Sequence, residues 1–392
     1  MKKIVFIANN NVGTGFSGGD RIFVEFLKNW KDKAELVLFG SEEAIEMTKK
    51  RSVDVGFIQT DKVNKSMPGG IFDFISHVFR RTSKGLSSIK KNREILKNAD
   101  YVYSVSDFYP DFIPAFYLKL KNPKIKWIAG YYLFAPNPFS KNSPYKGKQW
   151  LRGFFYWFTQ LFSHFLVKKF ADYVFVTNEP DREKFISKRL PAEKVIAIRG
   201  GVDIEMAESV SEDNNKKYDA VFIGRFHPTK GVLELIDVWR IVCKKKPNAK
   251  LALIGVGELE QEMRSKVKQF ELDEKISFLG FLDGVEKYKV FSKSKIALYP
   301  AVLDHWSMAP VEAMAMGLPL VTFDVETLRY LNPKGMIRIQ CYDLEKYANG
   351  ILDLLENENL YEEKKKEALY WARKWDWRVR SKEVYNILAK GN

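Results

Sequence analysis

The feature that most constrains this chain is a pattern that occurs near its start and again past its middle. A short β-branched and aromatic run leads into a glycine-bearing turn, and apolar residues at helical spacing follow. Near the N-terminus the run is Ile4–Ala8 and the turn is Gly13-Thr14-Gly15-Phe16-Ser17-Gly18-Gly19. Ile22, Phe23, Phe26, Leu27 and Trp30 then recur on one helical face. In the second half the run is Tyr218–Ile223, the turn is Gly224–Gly231, and Val232, Leu235, Ile236, Trp239 and Val242 follow. Further strands are expected at Ala34–Phe39, Tyr101–Val105, Lys126–Ala129, Tyr173–Thr177 and Val195–Ile198. In the second half they are expected at Leu251–Ile254, Ile276–Leu279, Ile296–Tyr299 and Leu320–Thr322. Strands alternating with helices imply parallel sheets, because parallel neighbours need a crossover between them.

The pattern therefore predicts an α/β protein of two Rossmann-like β/α/β domains. The first is placed at residues 1–203 and the second at 218–375. The polar stretch 204–217, after the turn Gly200-Gly201-Val202-Asp203, reads as the connection. Charged helical segments run from about Asp343 to Leu388, and a C-terminal helix at 376–392 is expected to complete the first domain. Open α/β sheets bind ligands outside the carboxyl ends of their strands, so a cleft with the two domains facing across it is the expected site.

Composition narrows the partners. The chain has 392 residues, 46% of them hydrophobic and 29% charged, which suits a folded multidomain protein and argues against wholesale disorder. Cys243 and Cys341 are far apart and lack metal-ligand spacing, so neither a disulfide framework nor a zinc site is indicated, and a cytoplasmic setting is expected. The run after Met1-Lys2-Lys3 is too brief for a signal-peptide core. The longest apolar stretch, Trp150–Val167, is broken by Arg152, Gly153, Gln160 and His164, so no spanning helix is expected. A net charge of +15 makes polyanions natural partners, among them nucleic acid, anionic lipid and sugar nucleotides. Nucleic acid is set aside, because the cations are dispersed and no nucleic-acid-binding motif is present.

Two constellations carry chemistry. The loop Gly224-Arg225-Phe226-His227-Pro228-Thr229-Lys230-Gly231 sets two cations beside glycines at a helix start. Such a loop suits a diphosphate: Arg225 supplies a planar fork, Lys230 a mobile charge, and the helix end unpaired amides. Its bland reading is a turn with two solvated cations. The second constellation is Asp304-His305-Trp306-Ser307-Met308-Ala309-Pro310-Val311-Glu312. Pro310 favours the first helical position, which puts Glu312 in the first turn and Asp304 on the preceding loop. Carboxylates there accept hydrogen bonds from sugar hydroxyls, and the amides near Met308 and Ala309 suit phosphate; a first-turn Glu that only complements the helix dipole is the alternative. His77, His164, His227 and His305 form no metal-ligand spacing, and no metal site is expected.

In order, these segments, with Gly255-Val256-Gly257, Phe278-Leu279-Gly280-Phe281 and Trp375-Asp376-Trp377, resemble the retaining GT-B glycosyltransferases of the large family four, the group 1 glycosyl transferases. The resemblance implies that Arg225 and Lys230 bind the donor diphosphate, Glu312 the donor ribose and Asp304 the transferred sugar. It also implies donor contacts at Gly18, Gly19, Gly257 and Phe281, beside the candidate donor contacts Ser307, Met308 and Ala309 at the helix start. The implied activity is sugar transfer from a nucleotide-diphosphate sugar, without metal or other cofactor, to an acceptor glycan or lipid-linked sugar in envelope polysaccharide or glycolipid assembly. Two departures stand out. The family usually has Glu where this chain has Asp304, and a His commonly follows the strand where this chain reads Gly130-Tyr131-Tyr132. A sugar-nucleotide epimerase, a phosphorylase of the same architecture, and a binding module without catalysis are the alternatives.

The segment Trp150–Leu166 gathers Leu151, Phe154, Phe155, Phe158, Leu161, Phe162 and Phe165 on one side, opposite Arg152, Thr159, Gln160 and Ser163. Lys146, Lys148, Lys168 and Lys169 flank it, and Arg80, Arg81, Lys84, Lys90, Lys91 and Arg93 make another basic region. An anchor on an anionic membrane surface reads this way, peripheral to the inner face of the cell membrane. A core helix packing its aromatic face on the sheet reads this way too, and is the commoner outcome.

Overall fold

Most of the chain's strands are apolar nearly end to end, as expected where helices cover both faces of a sheet. In the computed structural model, which describes residues 1–11, 17–62, 70–140, 143, 145, 147, 149–198, 200–211, 215–304, 308–331 and 334–391, the chain divides into two units. Unit 1 is Met1–Ile198 with Ser381–Asn392, and unit 2 is Arg199–Arg380.

In unit 1 the order is β1 (Lys2–Ala8), α1 (Gly18–Trp30), β2 (Ala34–Gly40), α2 (Glu42–Lys49), β3 (Gly56–Gln59), α3 (Ile71–Lys91), α4 (Arg93–Lys97), β4 (Tyr101–Ser104), α5 (Tyr109–Lys121), β5 (Lys126–Gly130), α6 (Gln149–Phe170), β6 (Tyr173–Val176), α7 (Glu179–Glu183) and β7 (Val195–Ala197). In unit 2 it is α8 (Ile204–Glu208), β8 (Tyr218–Ile223), α9 (Val232–Lys245), β9 (Leu251–Ile254), α10 (Glu260–Gln269), β10 (Ile276–Phe278), α11 (Gly284–Ser292), β11 (Ser294–Tyr299), α12 (Met308–Ala315), β12 (Leu320–Phe323), α13 (Glu326–Leu331), β13 (Met336–Ile339), α14 (Leu344–Glu356) and α15 (Glu358–Lys374). Helix α16 (Trp377–Lys390) begins in unit 2 and ends in unit 1.

Both sheets are parallel throughout. Unit 1 has the order β3-β2-β1-β4-β5-β6-β7 and unit 2 the order β10-β9-β8-β11-β12-β13, so the second sheet repeats the first but has no counterpart of β7. In each sheet the winding reverses beside the first strand, between β1 and β4 and between β8 and β11, which is where such sheets open a crevice for ligands. The two Rossmann-like domains are thus present. The strands not anticipated, β3 and β13, are both outer ones. Their residues are mostly half-exposed and Arg338 lies within β13, so neither shows the apolar run of an inner strand.

The boundaries differ from the sequence reading. Unit 1 ends at Ile198, and residues 204–208 are helix rather than connection. Ile204 and Ala207 are buried in the same cluster as Val202, Tyr218 and Trp375, so α8 belongs to the packed body of unit 2. The turn at Gly201 explains that docking, because a β-carbon there would lie 2.4 Å from the Trp375 carbonyl oxygen. The chain's end is fixed to unit 1 by polar contacts: Trp30 Nε1 donates to the Ser381 carbonyl at 2.9 Å, and Tyr101 Oη to that of Leu388 at 2.7 Å.

At the carboxyl end of β4, two aspartates are buried. Asp111 accepts from the backbone amides of Asn9 and Asn10 and from the Ser106 hydroxyl, which ties the loop after β1 to α5. Asp107 accepts from Gln160 Nε2 at 2.9 Å. Burial pushes both carboxyls up to about 7, outweighing the hydrogen bonds that favour the anions. Each holds its proton more tightly folded than unfolded. The stability they contribute is therefore fully present below the ordinary aspartate value of 3.8 and is lost as pH rises through about 7. Asp111→Asn keeps an acceptor for the two amides and a donor for Ser106, and so should flatten the loss by on the order of 1 kcal/mol per pH unit between pH 5 and 7. Thermal melts from pH 5 to 8 read this, and a variant profile parallel to wild type rejects it.

Candidate functional site

The loop that follows β8 is held by close backbone approach. Gly224 N donates to the Ile254 carbonyl at 3.0 Å, Phe226 N to that of Val256 at 3.0 Å, and Leu259 N to that of Phe226 at 3.2 Å. A β-carbon at Gly255 would lie 1.9 Å from the Gly224 carbonyl oxygen, and one at Gly257 would lie 2.3 Å from that of Phe226. The Gly-Val-Gly run after β9 is thus a requirement of contact. Phe226 is fully buried and pins the loop's middle in the core. At its far end Gly231 takes the left-handed conformation with φ +63, and a β-carbon there would meet the Pro300 carbonyl oxygen at 2.0 Å. Thr229 accepts from Val302 N, and His227 Nδ1 caps the short turn by accepting from Thr229 N. Burial, then the Arg225 charge, lowers the His227 pKa, which suits this acceptor role.

Held this way, the two cations differ. Arg225 is exposed and has no ion pair or hydrogen bond among the described residues. Lys230 is mostly buried at the start of α9 and donates to Tyr299 Oη at 2.6 Å and to Asp304 Oδ1 at 2.9 Å; Tyr299 also donates to Asp304 Oδ1, at 3.0 Å. Burial opposes the ammonium, but the pull of Tyr299 and Asp304 exceeds it and holds Lys230 above its ordinary pKa. Tyr299 ends β11, beside the crevice strand β8. The structure thus joins Asp304 to the lysine of the glycine loop. Sequence reasoning missed Tyr299, whose only signal is its place at the end of a strand next to β8.

Helix α12 begins at Met308, so Pro310 is its third residue and Glu312 its fifth, each two positions further into the helix than the sequence reading. A proline there costs no hydrogen bond, because the first amides of a helix lack internal partners. Met308 and Ala309 form the opening turn, while Ser307 lies outside the described residues. Glu312 is buried and pairs with Lys287 of α11 at 2.8 Å; Lys287 also lies 3.5 Å from Asp283. Lys287 gave no sequence signal beyond its spacing of four from Asp283. After β10, Gly280 accepts from Gly255 N at 2.8 Å, and Phe281 beside it is 64% exposed. Gly257 and Phe281 therefore sit on two linked loops. In unit 1, Gly18 and Gly19 open α1 behind a capping box of Ser17 and Asp20, and Gly19 packs on Tyr132. Among the described residues no group of three or more His, Cys, Asp or Glu is placed to hold a metal ion.

Residues 203–371 match the family described as glycosyl transferases group 1. Unit 2 is a group 1 glycosyl transferase domain. Similarities to curated proteins span about half the chain or less. Over 178 residues, 44% of this chain and 26% of the other, the chain is 24% identical to the poly(glycerol-phosphate) alpha-glucosyltransferase of Bacillus subtilis. Over 203 residues, 49% of this chain and 53% of the other, it is 25% identical to the phosphatidyl-myo-inositol mannosyltransferase of Mycobacterium tuberculosis. The chain thus spans from a quarter to about half the length of these relatives. The whole chain, in contrast, superposes on Anabaena Alr3699/HepE in complex with UDP and glucose, with TM-score 0.70, 15% identity and 100% of both chains covered. That likeness places the fold, GT-B.

Inside the group 1 domain the Lys287–Glu312 pair is the most buried charge contact of the site, at 4% and 5% side-chain exposure. Removing one partner of such a pair strands the other charge. Lys287→Met should therefore cost about 3–5 kcal/mol, and Lys287→Met with Glu312→Leu should recover much of that loss. Urea unfolding of the three variants tests this; equal stability of Lys287→Met and wild type overturns it.

Proposed function

We propose that the chain transfers a sugar from a nucleoside-diphosphate sugar to a hydroxyl of an acceptor glycan or lipid-linked sugar, with retained anomeric configuration and without a metal ion. In this reading it serves cell-envelope polysaccharide or glycolipid assembly on the cytoplasmic side of an anionic membrane. The observation that carries the reading is the pairing in one loop of an exposed, uncommitted Arg225 with a buried, charged Lys230 at the start of α9. Transfer of this kind leaves growing negative charge on the departing diphosphate. Arg225 offers that charge a planar two-donor fork, Lys230 a fixed ammonium and the opening of α9 unpaired amides, the combination other enzymes obtain from a divalent ion.

The remaining roles follow the family resemblance. Glu312 holds the ribose, Asp304 serves the sugar side, and Met308, Ala309, Ser307, Gly257, Phe281, Gly18 and Gly19 line the donor. The names of the relatives, a glucosyltransferase on a glycerol-phosphate polymer and a mannosyltransferase on a phosphoinositide, support a polymer or glycolipid acceptor. The complex of Alr3699/HepE with UDP and glucose supports a sugar nucleotide as donor.

Calorimetry with UDP, GDP and ADP identifies the donor base. With the nucleotide that binds, Arg225→Ala should weaken affinity about 10- to 100-fold, the worth of one charged hydrogen bond. Glu312→Gln should weaken it too, whereas Asp304→Asn should act on turnover of the intact donor. Proton couplings of the product's anomeric carbon report retention. Unchanged nucleotide affinity in Arg225→Ala overturns the phosphate assignment, and an inverted product overturns the stereochemistry.

A further inference from the structure

Helix α6 packs with its polar side inward. The residues it buries are Gly153, Gln160, Ser163, Leu166 and Val167. Gln160 is the reason: its Nε2 donates to the Leu133 carbonyl at 2.6 Å and to Asp107 at 2.9 Å, and its Oε1 accepts from Ala135 N at 2.6 Å. Gly153 lies against the Tyr145 ring with no room for a β-carbon. The opposite side, Leu151, Phe158, Leu161, Phe162 and Phe165, faces outward, with Phe158 and Phe165 each 60% exposed. The expectation of a core helix with its aromatics on the sheet is thus overturned for this face; only Phe154 and Phe155 are partly covered.

The surroundings extend the patch. Phe139, itself 64% exposed, packs edge-on against Trp150, Phe154 and Trp157. Helix α3 lies alongside through the Phe74–Phe155 ring contact and a hydrogen bond from Arg152 to the Gly70 carbonyl. A soluble helix turns such a face to the core, and a contiguous exposed apolar face of this kind marks an interaction surface.

Charge selects the partner. From Phe112 to Ala171 the sequence contains no Asp or Glu, while Arg152 lies in the first turn of the helix and Lys168 and Lys169 in its last. At that second end, Leu161, His164, Phe165, Lys168, Lys169 and Ser187 line a groove of about 480 Å³. An apolar groove with two ammonium groups at its rim matches an acyl chain below a phosphate headgroup. A second copy would bring the same cations face to face. No described helix is long and apolar enough to cross a membrane, so the fit is to a surface and not a span.

We propose that the outer face of α6 is a seat for an anionic lipid bilayer, with its phenylalanines in the interface and Lys168 and Lys169 on lipid phosphates. This rests on the proposed function only for its purpose, delivery of the enzyme to a membrane-held acceptor, and it is tested by binding. The full chain should sediment with phosphatidylglycerol vesicles at low salt, come off as salt rises, and ignore pure phosphatidylcholine. Phe158→Ser with Phe162→Ser should lower vesicle affinity at least about tenfold while melting temperature and nucleotide affinity stay at wild-type values. Lys168→Ser and Lys169→Ser should each lower it about fivefold. Three results overturn the proposal: no vesicle binding at low salt, a phenylalanine pair that melts early because the face is packed, or a dimer that this pair dissociates. Loss of nucleotide binding in wild type would reject the transfer reading and leave the vesicle result standing.

Discussion

Everything at the candidate site depends on backbone meeting backbone where no side chain fits. The Gly224–Phe226 strand end lies against Gly255–Gly257, and Gly231 lies against the Pro300 carbonyl. Either contact with a β-carbon would push the loop outward by more than an ångström. The loop's position in turn decides where Lys230 stands. Because Gly231 turns the chain left-handed directly after it, Lys230 meets the end of β11, where Tyr299 is, and the loop that carries Asp304. The glycines therefore set an electrostatic arrangement that their own chemistry does not contain.

Two sheets of the same winding are put to different uses. In unit 2 the first loop presents cations, and buried carboxylates on neighbouring elements balance charge, Asp304 against Lys230 and Glu312 against Lys287. In unit 1 the loop after β1 is held by a carboxylate instead, with Asp111 gathering the amides of Asn9 and Asn10. That difference explains the contrasting shifts. Lys230 is buried beside a fixed anion and keeps its charge, whereas Asp107 and Asp111 are buried beside neutral donors and hold their protons to about 7.

Local signals were readable in the sequence where one face or one turn decides the outcome. The inner strands announced themselves as apolar runs, and the Arg225–Lys230 loop as a glycine turn before a helix. Distant partners were not readable. Tyr299 and Lys230 are 69 positions apart, and nothing near either names the other. Lys287 looked like one more surface lysine until α11 set it against α12. Helix α6 shows the same limit most sharply, since a helical wheel ranks faces by hydropathy alone. Three hydrogen-bonding partners from the loops after β4 and β5 make the Gln160 side the inward one.

The Lys230 arrangement also bears on the shorter carboxylate in the position the family usually fills with Glu. An ammonium has three donors, and here two are directed at Tyr299 and Asp304. One remains for a phosphate oxygen, so a diphosphate can join the cluster without displacing either partner. Aspartate at 304 reaches Lys230 with its own oxygen also accepting from Tyr299, which fixes the ammonium from two sides before any donor arrives. A longer side chain from the same loop would have to fold back to keep both contacts. In the proposed reaction the departure from Glu to Asp304 is then a shift of duty. The carboxylate's first task is to hold the phosphate-binding lysine in place, and contact with the sugar falls to whatever of its surface Lys230 and Tyr299 leave open. Preorganised charge of this sort costs no rearrangement when the diphosphate leaves, which is the condition under which a fixed cation stabilises a transition state most.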